Sequence, residues 1–138
     1  MSPAGTATRI DHVGVVVRDL EATVAHFTSR LGLRVVAREV IAGAGADVAY
    51  LCAGSDEAAT IQFLQPIADG AVRRFLDAHG PGAHHICFEV PELETFVTRS
   101  LDEVEQSPDI IRGGRGKRTC FLRDQQFGFV VELCEPTG

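Results

Sequence analysis

The chain has 138 residues, of which 45% are hydrophobic and 23% charged, a composition typical of a globular domain and unlike that of a disordered chain. Its net charge of −6 disfavours a nucleic-acid partner, because contact with phosphates needs a basic face. No apolar run approaches the roughly 20 residues that span a bilayer, and the first residues lack the pattern of a signal peptide. We therefore expect a single domain over 1–138, located in the cytoplasm, with no membrane partner.

The first half of the chain predicts the element order βαβββ over residues 9–66. An apolar strand-like run is followed by Asp19, which can cap a helix that stops at Gly32. Apolar residues recur within this helix at helical spacing. Three further strand-like runs, separated by glycine-rich turns, lie near 33–41, 47–53 and 59–65.

The second half predicts the same order over residues 83–136. A linking helix over 69–79 comes first and is broken by a Gly-Pro-Gly sequence at 80–82. Then follow a strand at 84–90, a helix at 92–104 and strands near 109–113, 118–123 and 128–134.

Matching residues show that the two halves are copies of one module. His12 and His85 are 73 positions apart, and so are the acid-Leu-Glu triplets that begin at Asp19 and Glu92. Gln62 and Glu132 are 70 positions apart, each four residues before a proline. Two landmarks in the same order make chance similarity a poor explanation.

The repeat predicts an α+β fold. The helix of one βαβββ unit covers only one face of its four strands. Two such units placed edge to edge form an eight-stranded cupped sheet, with the helices outside and a cavity inside. Equivalent strands of the two modules would then face each other across the cup.

The repeat also selects a candidate metal site. His12 and His85 occupy the same place on the first strand of each module, and the last strand carries Gln62 or Glu132 at the matching place. Because side chains alternate along a strand, these four can project from one face. Two imidazoles and two oxygen donors suit a divalent metal ion (Co, Ni, Mn, Zn or Fe), with open positions for water or substrate.

Each of these residues also has a structural interpretation. A lone histidine on a strand is more often structural than a ligand, and His84, whose counterpart is Asp11, is the example here. Glu132 is harder to explain in this way, because an uncompensated carboxylate in an apolar strand is costly to bury. A bound cation would compensate it.

The remaining polar features allow other interpretations. A basic cluster is typical of a solvated hairpin loop, but at the mouth of the cup it would hold an anionic substrate; it contains Arg112, Arg115, Lys117 and Arg118. Tyr50, the single tyrosine, is a further candidate for substrate binding. Four cysteines lie in apolar strand-like runs without a CxxC pair, which favours buried, reduced thiols; they are Cys52, Cys87, Cys120 and Cys134.

Several motifs resemble the vicinal oxygen chelate superfamily (glyoxalases, extradiol dioxygenases, bleomycin-resistance proteins), and within it the methylmalonyl-CoA epimerases. The resemblance extends from Arg9 to Pro136. It rests on Asp11-His12-Val13-Gly14-Val15, Leu31-Gly32-Leu33, Ile61-Gln62-Phe63-Leu64-Gln65-Pro66, Gly82-Ala83-His84-His85-Ile86, Gly116-Lys117 and Val131-Glu132-Leu133.

The resemblance implies a metal held by His12, Gln62, His85 and Glu132, an acyl-CoA substrate and a homodimer. It implies an enolate-type intermediate, with Glu132 as one catalytic base. The epimerases carry a second catalytic Glu, and its position falls on Gly43, so that acid is missing; Glu39 and Asp47 are the nearest carboxylates.

The missing acid keeps other functions open. A lyase, isomerase, dioxygenase or transferase of specialised metabolism fits one base and one metal as well as an epimerase does. A non-catalytic binding or drug-resistance protein is a further alternative, although such proteins normally lack the metal ligands.

Overall fold

The computed structural model of the chain describes residues 6–55, 59–100, 109–122 and 127–136. It divides into two compact units. The first unit is His12–His84, and the second unit contains the residues up to Asp11 together with those from His85 onward. Among the described residues, no helix combines the length and apolar character that a membrane span requires.

The first unit contains the predicted βαβββ module and the linking helix. Its strand order is β2-β3-β4-β1, with β1 and β4 parallel and the other neighbours antiparallel. Residues Arg9–Asp11 of β1 belong to the second unit. The elements are β1 (Arg9–Val16), α1 (Leu20–Leu31), β2 (Arg34–Ile41), β3 (Ala46–Cys52), β4 (Thr60–Pro66) and α2 (Ala71–His79).

The limits of α1 follow from its capping residues, as predicted. Asp19 has an extended backbone, and its side chain accepts a hydrogen bond of 3.0 Å from the backbone N–H of Ala22. Gly32 ends the helix with φ +68°, a left-handed conformation that glycine adopts at little cost. Leu20, at the start of α1, is buried against Leu51 and Phe63. Burial of each such side chain stabilises the fold by roughly 1.5–3 kcal/mol.

The second unit repeats the module with a smaller described core. Its strand order is β5-β8-β7-β6, again with one parallel pair, β5 and β8. Val90, Leu93, Cys120 and Leu133 form the buried cluster. The elements are β5 (Gly82–Glu89), α3 (Leu93–Ser100), β6 (Ile111–Arg112), β7 (Arg118–Phe121) and β8 (Val130–Cys134).

In this module, one predicted helix is described only in part and one predicted strand is shorter than expected. The predicted helix 92–104 extends into 101–104, which lie outside the described residues. The strand predicted at 109–113 is wrong in length, because β6 has only two residues. The backbone N–H of Gly113 donates to the carbonyl of Lys117 (2.9 Å), which closes a turn and ends the strand.

One hydrogen bond ties the helix to the last strand in each module. In the first unit, Gln65 Oε1 accepts from the backbone N–H of Leu20 at 2.7 Å. In the second unit, Glu135 Oε2 accepts from the backbone N–H of Leu93 at 2.8 Å. Each acceptor stands three residues after the predicted ligand of its strand. These contacts therefore fix the helix start relative to the strand that carries the oxygen donor.

Candidate functional site

In the first unit, two predicted ligands lie on one face of the parallel pair β1 and β4. Gly14 pairs with Gln62, and His12 stands two residues before Gly14 on the same face. On the other side of β4, Tyr50 of β3 pairs with Gln62. The side chains of His12, Tyr50 and Gln62 are all buried.

A chain of two hydrogen bonds fixes the amide of Gln62. Gln62 Nε2 donates to the Tyr50 hydroxyl at 2.9 Å, and that hydroxyl donates to Glu39 Oε2 at 2.9 Å. Within the described part of the chain, the buried Oε1 of Gln62 accepts no hydrogen bond. A buried acceptor left in this state costs about 1–3 kcal/mol, so this oxygen fits the role of a metal ligand.

In the second unit, the other two predicted ligands are in contact. Cys87 pairs with Glu132 across β5 and β8, and His85 stands two residues before Cys87. His85 Nε2 lies 3.3 Å from Glu132 Oε1, and both side chains are buried. An imidazole nitrogen beside a carboxylate oxygen is a donor pair that a divalent metal accepts.

Thr119 supports Glu132 and was not predicted from the sequence. Its hydroxyl lies 2.8 Å from Glu132 Oε2 and 2.7 Å from the carbonyl of Leu133. Gly113 allows this arrangement, because a Cβ at that position would come within 2.5 Å of the Thr119 methyl group. The strand Arg118–Phe121 also contains Arg118, so the sequence did not single out Thr119, and its partner follows only from the strand register.

The two pairs are built in the same way. In the first unit, the ring of His12 meets the ring of Tyr50 edge-on, with centroids 6.0 Å apart and planes at 87°. In the second unit, His85 meets Phe121 with centroids 6.2 Å apart and planes at 89°. Phe121 pairs with Glu132 as Tyr50 pairs with Gln62. The structure therefore brings together each histidine and oxygen donor within a module, and their union in one four-residue site stays a prediction.

His84 occupies a different environment from its neighbour. Its ring meets Phe75 of α2 edge-on, with centroids 5.0 Å apart, and the side chain is only half-buried. Alternation along β5 directs it to the face opposite that of His85. This contact agrees with a structural role for His84.

The prediction that the basic cluster forms a solvated loop is wrong for Lys117, because its side chain is buried. Lys117 Nζ lies 2.9 Å from Oδ1 of the buried Asp11 and 3.8 Å from Glu89 Oε1. Arg115 also contacts Asp11. Asp11, Glu89 and Cys134 are close enough to hold a metal ion, but the Lys117 ammonium already contacts both carboxylates. Two cations that were predicted to bind substrate therefore compensate a carboxylate of their own unit.

Arg118, the third predicted cation, is also paired. It contacts Glu94 at the start of α3, and its Nη1 lies 2.9 Å from Glu135 Oε1. The hydrogen bond from Arg118 lowers the pKa of Glu94. The assignment of Arg118 to a substrate site stays a prediction, as do those of Tyr50, Arg115 and Lys117.

The four cysteines are free and buried, as the sequence indicated. Burial raises the pKa of Cys120 to about 11, with a smaller contribution from the charge of Glu132. The contact between Cys87 and Cys134 raises the pKa of Cys87 and lowers that of Cys134. Buried thiols with a raised pKa, such as Cys87 and Cys120, are poor nucleophiles.

The turn that precedes β3 carries no acid at Gly43, where the resemblance stated above implies one. Gly43 lies in a short 3-10 turn, Ala42–Ala44, and a Cβ placed on it would meet nothing within 4 Å. Of the two nearest carboxylates, Glu39 contacts Tyr50, and Asp47 lies 3.8 Å from Arg38. The turn therefore has room for a side chain that this sequence does not supply.

Comparison with known proteins gives a consistent match. The model of the glyoxalase/bleomycin resistance protein/dioxygenase superfamily matches residues 11–121. Ethylmalonyl-CoA/methylmalonyl-CoA epimerase of Cereibacter sphaeroides is 31% identical over 91% of this chain and 96% of its own length. The uncharacterised YqjC of Bacillus subtilis is 29% identical over 94% of both chains.

Solved structures agree with these relatives. Methylmalonyl-CoA epimerase of Mycobacterium tuberculosis superposes with a TM-score of 0.88 at 27% identity, covering 100% of this chain and 94% of its own. A Streptomyces coelicolor methylmalonyl-CoA epimerase in complex with 2-nitronate-propionyl-CoA gives 0.85 at 31% identity, covering 96% and 100%. The predicted fold class and the predicted likeness to these epimerases are therefore confirmed.

Proposed function

Because the chain belongs to the glyoxalase/bleomycin resistance protein/dioxygenase superfamily, we propose that it is a metal-dependent enzyme that moves a proton beside the carbonyl of an acyl-CoA, in the manner of a methylmalonyl-CoA epimerase. The observation that carries the proposal is the repeated pair of a buried histidine and a buried oxygen donor on each parallel strand pair. The epimerase relatives, matched over nearly the whole chain, support the reaction type.

We assign one divalent metal ion (Co, Ni, Mn, Zn or Fe) to His12 and Gln62 of the first unit and His85 and Glu132 of the second. The matched positions in the two modules support this set. The buried Gln62 Oε1, which accepts no hydrogen bond among the described residues, supports it independently. When bound, such an ion supplies Lewis-acid stabilisation of negative charge on a substrate carbonyl oxygen.

Glu132 is the proposed catalytic base. Its carboxylate takes the proton from the α-carbon, and the electron pair passes to the carbonyl as an enolate. Return of a proton from Glu132 restores the starting configuration, whereas inversion needs a proton delivered to the opposite face by another donor. The Thr119 hydroxyl beside Oε2 holds the carboxylate in one orientation. A fixed orientation matters, because proton transfer requires the base within hydrogen-bond reach of the proton.

A second candidate function follows from Gly43. Inversion at the α-carbon needs a proton donor on the face opposite Glu132, and the epimerases supply it from the position that Gly43 occupies here. A reaction with one base, such as that of a lyase or an isomerase of the same superfamily, needs no such donor. The missing acid at Gly43 therefore favours a one-base reaction as the alternative function.

The substrate contacts are proposed from charge. Coenzyme A carries phosphates, and the cations that we assign to them are Arg115, Lys117 and Arg118. Their present partners, Asp11 and Glu94 among them, would keep these side chains ordered. Tyr50 is assigned to the acyl end through its ring, because its hydroxyl is bonded to Gln62 and Glu39. We also propose a homodimer and a cytoplasmic location.

Exchange of the α-proton tests this function. Metal-loaded protein is incubated with methylmalonyl-CoA in D₂O, and deuterium at the α-carbon is followed by NMR. We expect incorporation that Glu132→Gln slows by about 10²–10⁴-fold, the usual contribution of a general base. Metal-loaded wild type that incorporates no deuterium would reject the epimerase and make metal-dependent oxygen consumption the next assay.

A further inference from the structure

The oxygen donors of the two modules have different neighbours on the adjacent strand. Gln62 is paired across the strands with Tyr50, whereas Glu132 is paired with Phe121. The phenol hydroxyl is thus present only in the module with the amide. The hydroxyl of Tyr50 also donates to Glu39 on the neighbouring strand. One chain of hydrogen bonds therefore joins three adjacent strands, β4, β3 and β2.

The direction of these hydrogen bonds determines how the amide is oriented. A phenol has one hydrogen, and Tyr50 donates it to the carboxylate of Glu39. Its oxygen must then accept from Gln62, which turns Nε2 toward Tyr50 and Oε1 away from it. The two orientations of an amide have nearly the same shape, so hydrogen bonding decides between them.

We propose that Tyr50 and Glu39 are positioning residues that present Oε1 of Gln62 to the metal and that make position 62 specific for glutamine. The inference rests on the proposed function, since it requires that metal. It adds a role for two residues outside the ligand set.

Specificity for glutamine at position 62 follows because the Tyr50 hydroxyl has only one hydrogen to donate. With a glutamate at position 62, Tyr50 would face two carboxylates with one hydrogen, and one carboxylate would lose its bond. Tyr50 is fully buried and Gln62 is 3% exposed, so water has little access to compensate the loss. An apolar residue in place of Glu39 would instead free the phenol to donate to position 62.

Binding of Co²⁺ to the full chain, measured by calorimetry, tests the inference. We expect Tyr50→Phe and Glu39→Leu to weaken binding by about 10–100-fold, as is usual for partners that orient a metal ligand. The visible absorption of the bound Co²⁺ should shift in both variants. Glu21→Leu is the matched control: it removes the same charge from an exposed site that contacts Arg38, and binding should be unchanged.

The decisive comparison repeats Glu39→Leu in the Gln62→Glu background. There the phenol is freed for the new carboxylate, so the substitution should leave Co²⁺ affinity unchanged or strengthen it. Equal weakening in both backgrounds would overturn the inference, as would wild-type affinity in Tyr50→Phe and Glu39→Leu. If Tyr50→Phe does not fold, the Glu39→Leu comparison still decides. Wild type that binds no Co²⁺ would reject the proposed metal, whereas normal wild-type binding with unaffected variants would reject only the positioning role.

Discussion

The two modules share a construction but differ in the oxygen donor, and the difference explains their surroundings. A carboxylate such as Glu132 has two equivalent oxygens, so either can face a cation, and the contact with Thr119 suffices to hold it. An amide has one oxygen and one NH₂ group, so Gln62 must be oriented by a directional partner. Tyr50 and Glu39 supply that direction. The two modules therefore share the donor positions, but each donor has its own support.

The same contrast occurs at the helix starts. A neutral side chain, Gln65, accepts from α1, whereas the acid Glu135 accepts from α3 and also contacts Arg118. The first contact depends on hydrogen bonding alone. The second also has an ionic component that salt can screen.

The largest expected effect comes from removing one histidine of either pair. His85→Ala and His12→Ala should each weaken Co²⁺ binding by more than about 100-fold, above the range for partners of ligands. His84→Ala, which removes a ring in contact with Phe75, should retain most of the affinity. Equilibrium dialysis measures all three. Equal losses from His84→Ala and His85→Ala would show that the assigned strand faces are wrong.

A gain of function should follow from supplying the missing acid. The turn at Gly43 has space for a side chain, so Gly43→Glu should raise the rate of methylmalonyl-CoA epimerisation by about tenfold or more. Gly43→Gln, which adds the same bulk without an acid, is the control. Parallel increases in both variants would mean that a shape change, rather than proton transfer, is responsible.

Removal of the Thr119 hydroxyl should destabilise the metal-free protein. Thr119→Val removes the one hydroxyl hydrogen that Glu132 Oε2 and the Leu133 carbonyl share, at an expected cost of about 1–3 kcal/mol in the free energy of unfolding. Urea denaturation measures it. Thr28→Val, whose hydroxyl donates to a carbonyl of its own helix, should cost less. Equal losses would assign no special role to the contact with Glu132.

The smallest effects should separate the two helix starts. Gln65→Ala and Glu135→Ala should each lower the free energy of unfolding by about 0.5–2 kcal/mol, the range for a lost helix cap. Glu135→Gln should retain much of the cap but lose the ionic contact with Arg118. Its cost should therefore shrink at high salt, while that of Gln65→Ala should not. Urea denaturation at two salt concentrations measures both changes in the free energy of unfolding. Identical salt dependence in the two variants would contradict the proposed difference between the two helix starts.

Sequence reasoning identified the features that are local or repeated. The cap at Asp19 and the stop at Gly32 depend on neighbouring residues, and matched offsets led to each histidine and its oxygen donor. Bonds that depend on strand register could not be predicted. Glu39 meets Tyr50 only because β2 and β3 pair in one particular register. Lys117 and Asp11, 106 positions apart, gave no sequence signal of their buried contact.

X-ray absorption of Co²⁺-loaded protein most directly tests the claim that both modules serve one metal. With one equivalent of metal per chain, we expect two imidazole ligands on each ion, and a single one in His12→Ala or His85→Ala. Loss of one imidazole in each of these two variants would show that a histidine from each module binds the same ion. One imidazole per ion in the wild type, with two ions bound per chain at saturation, would contradict the account and assign a separate metal to each module.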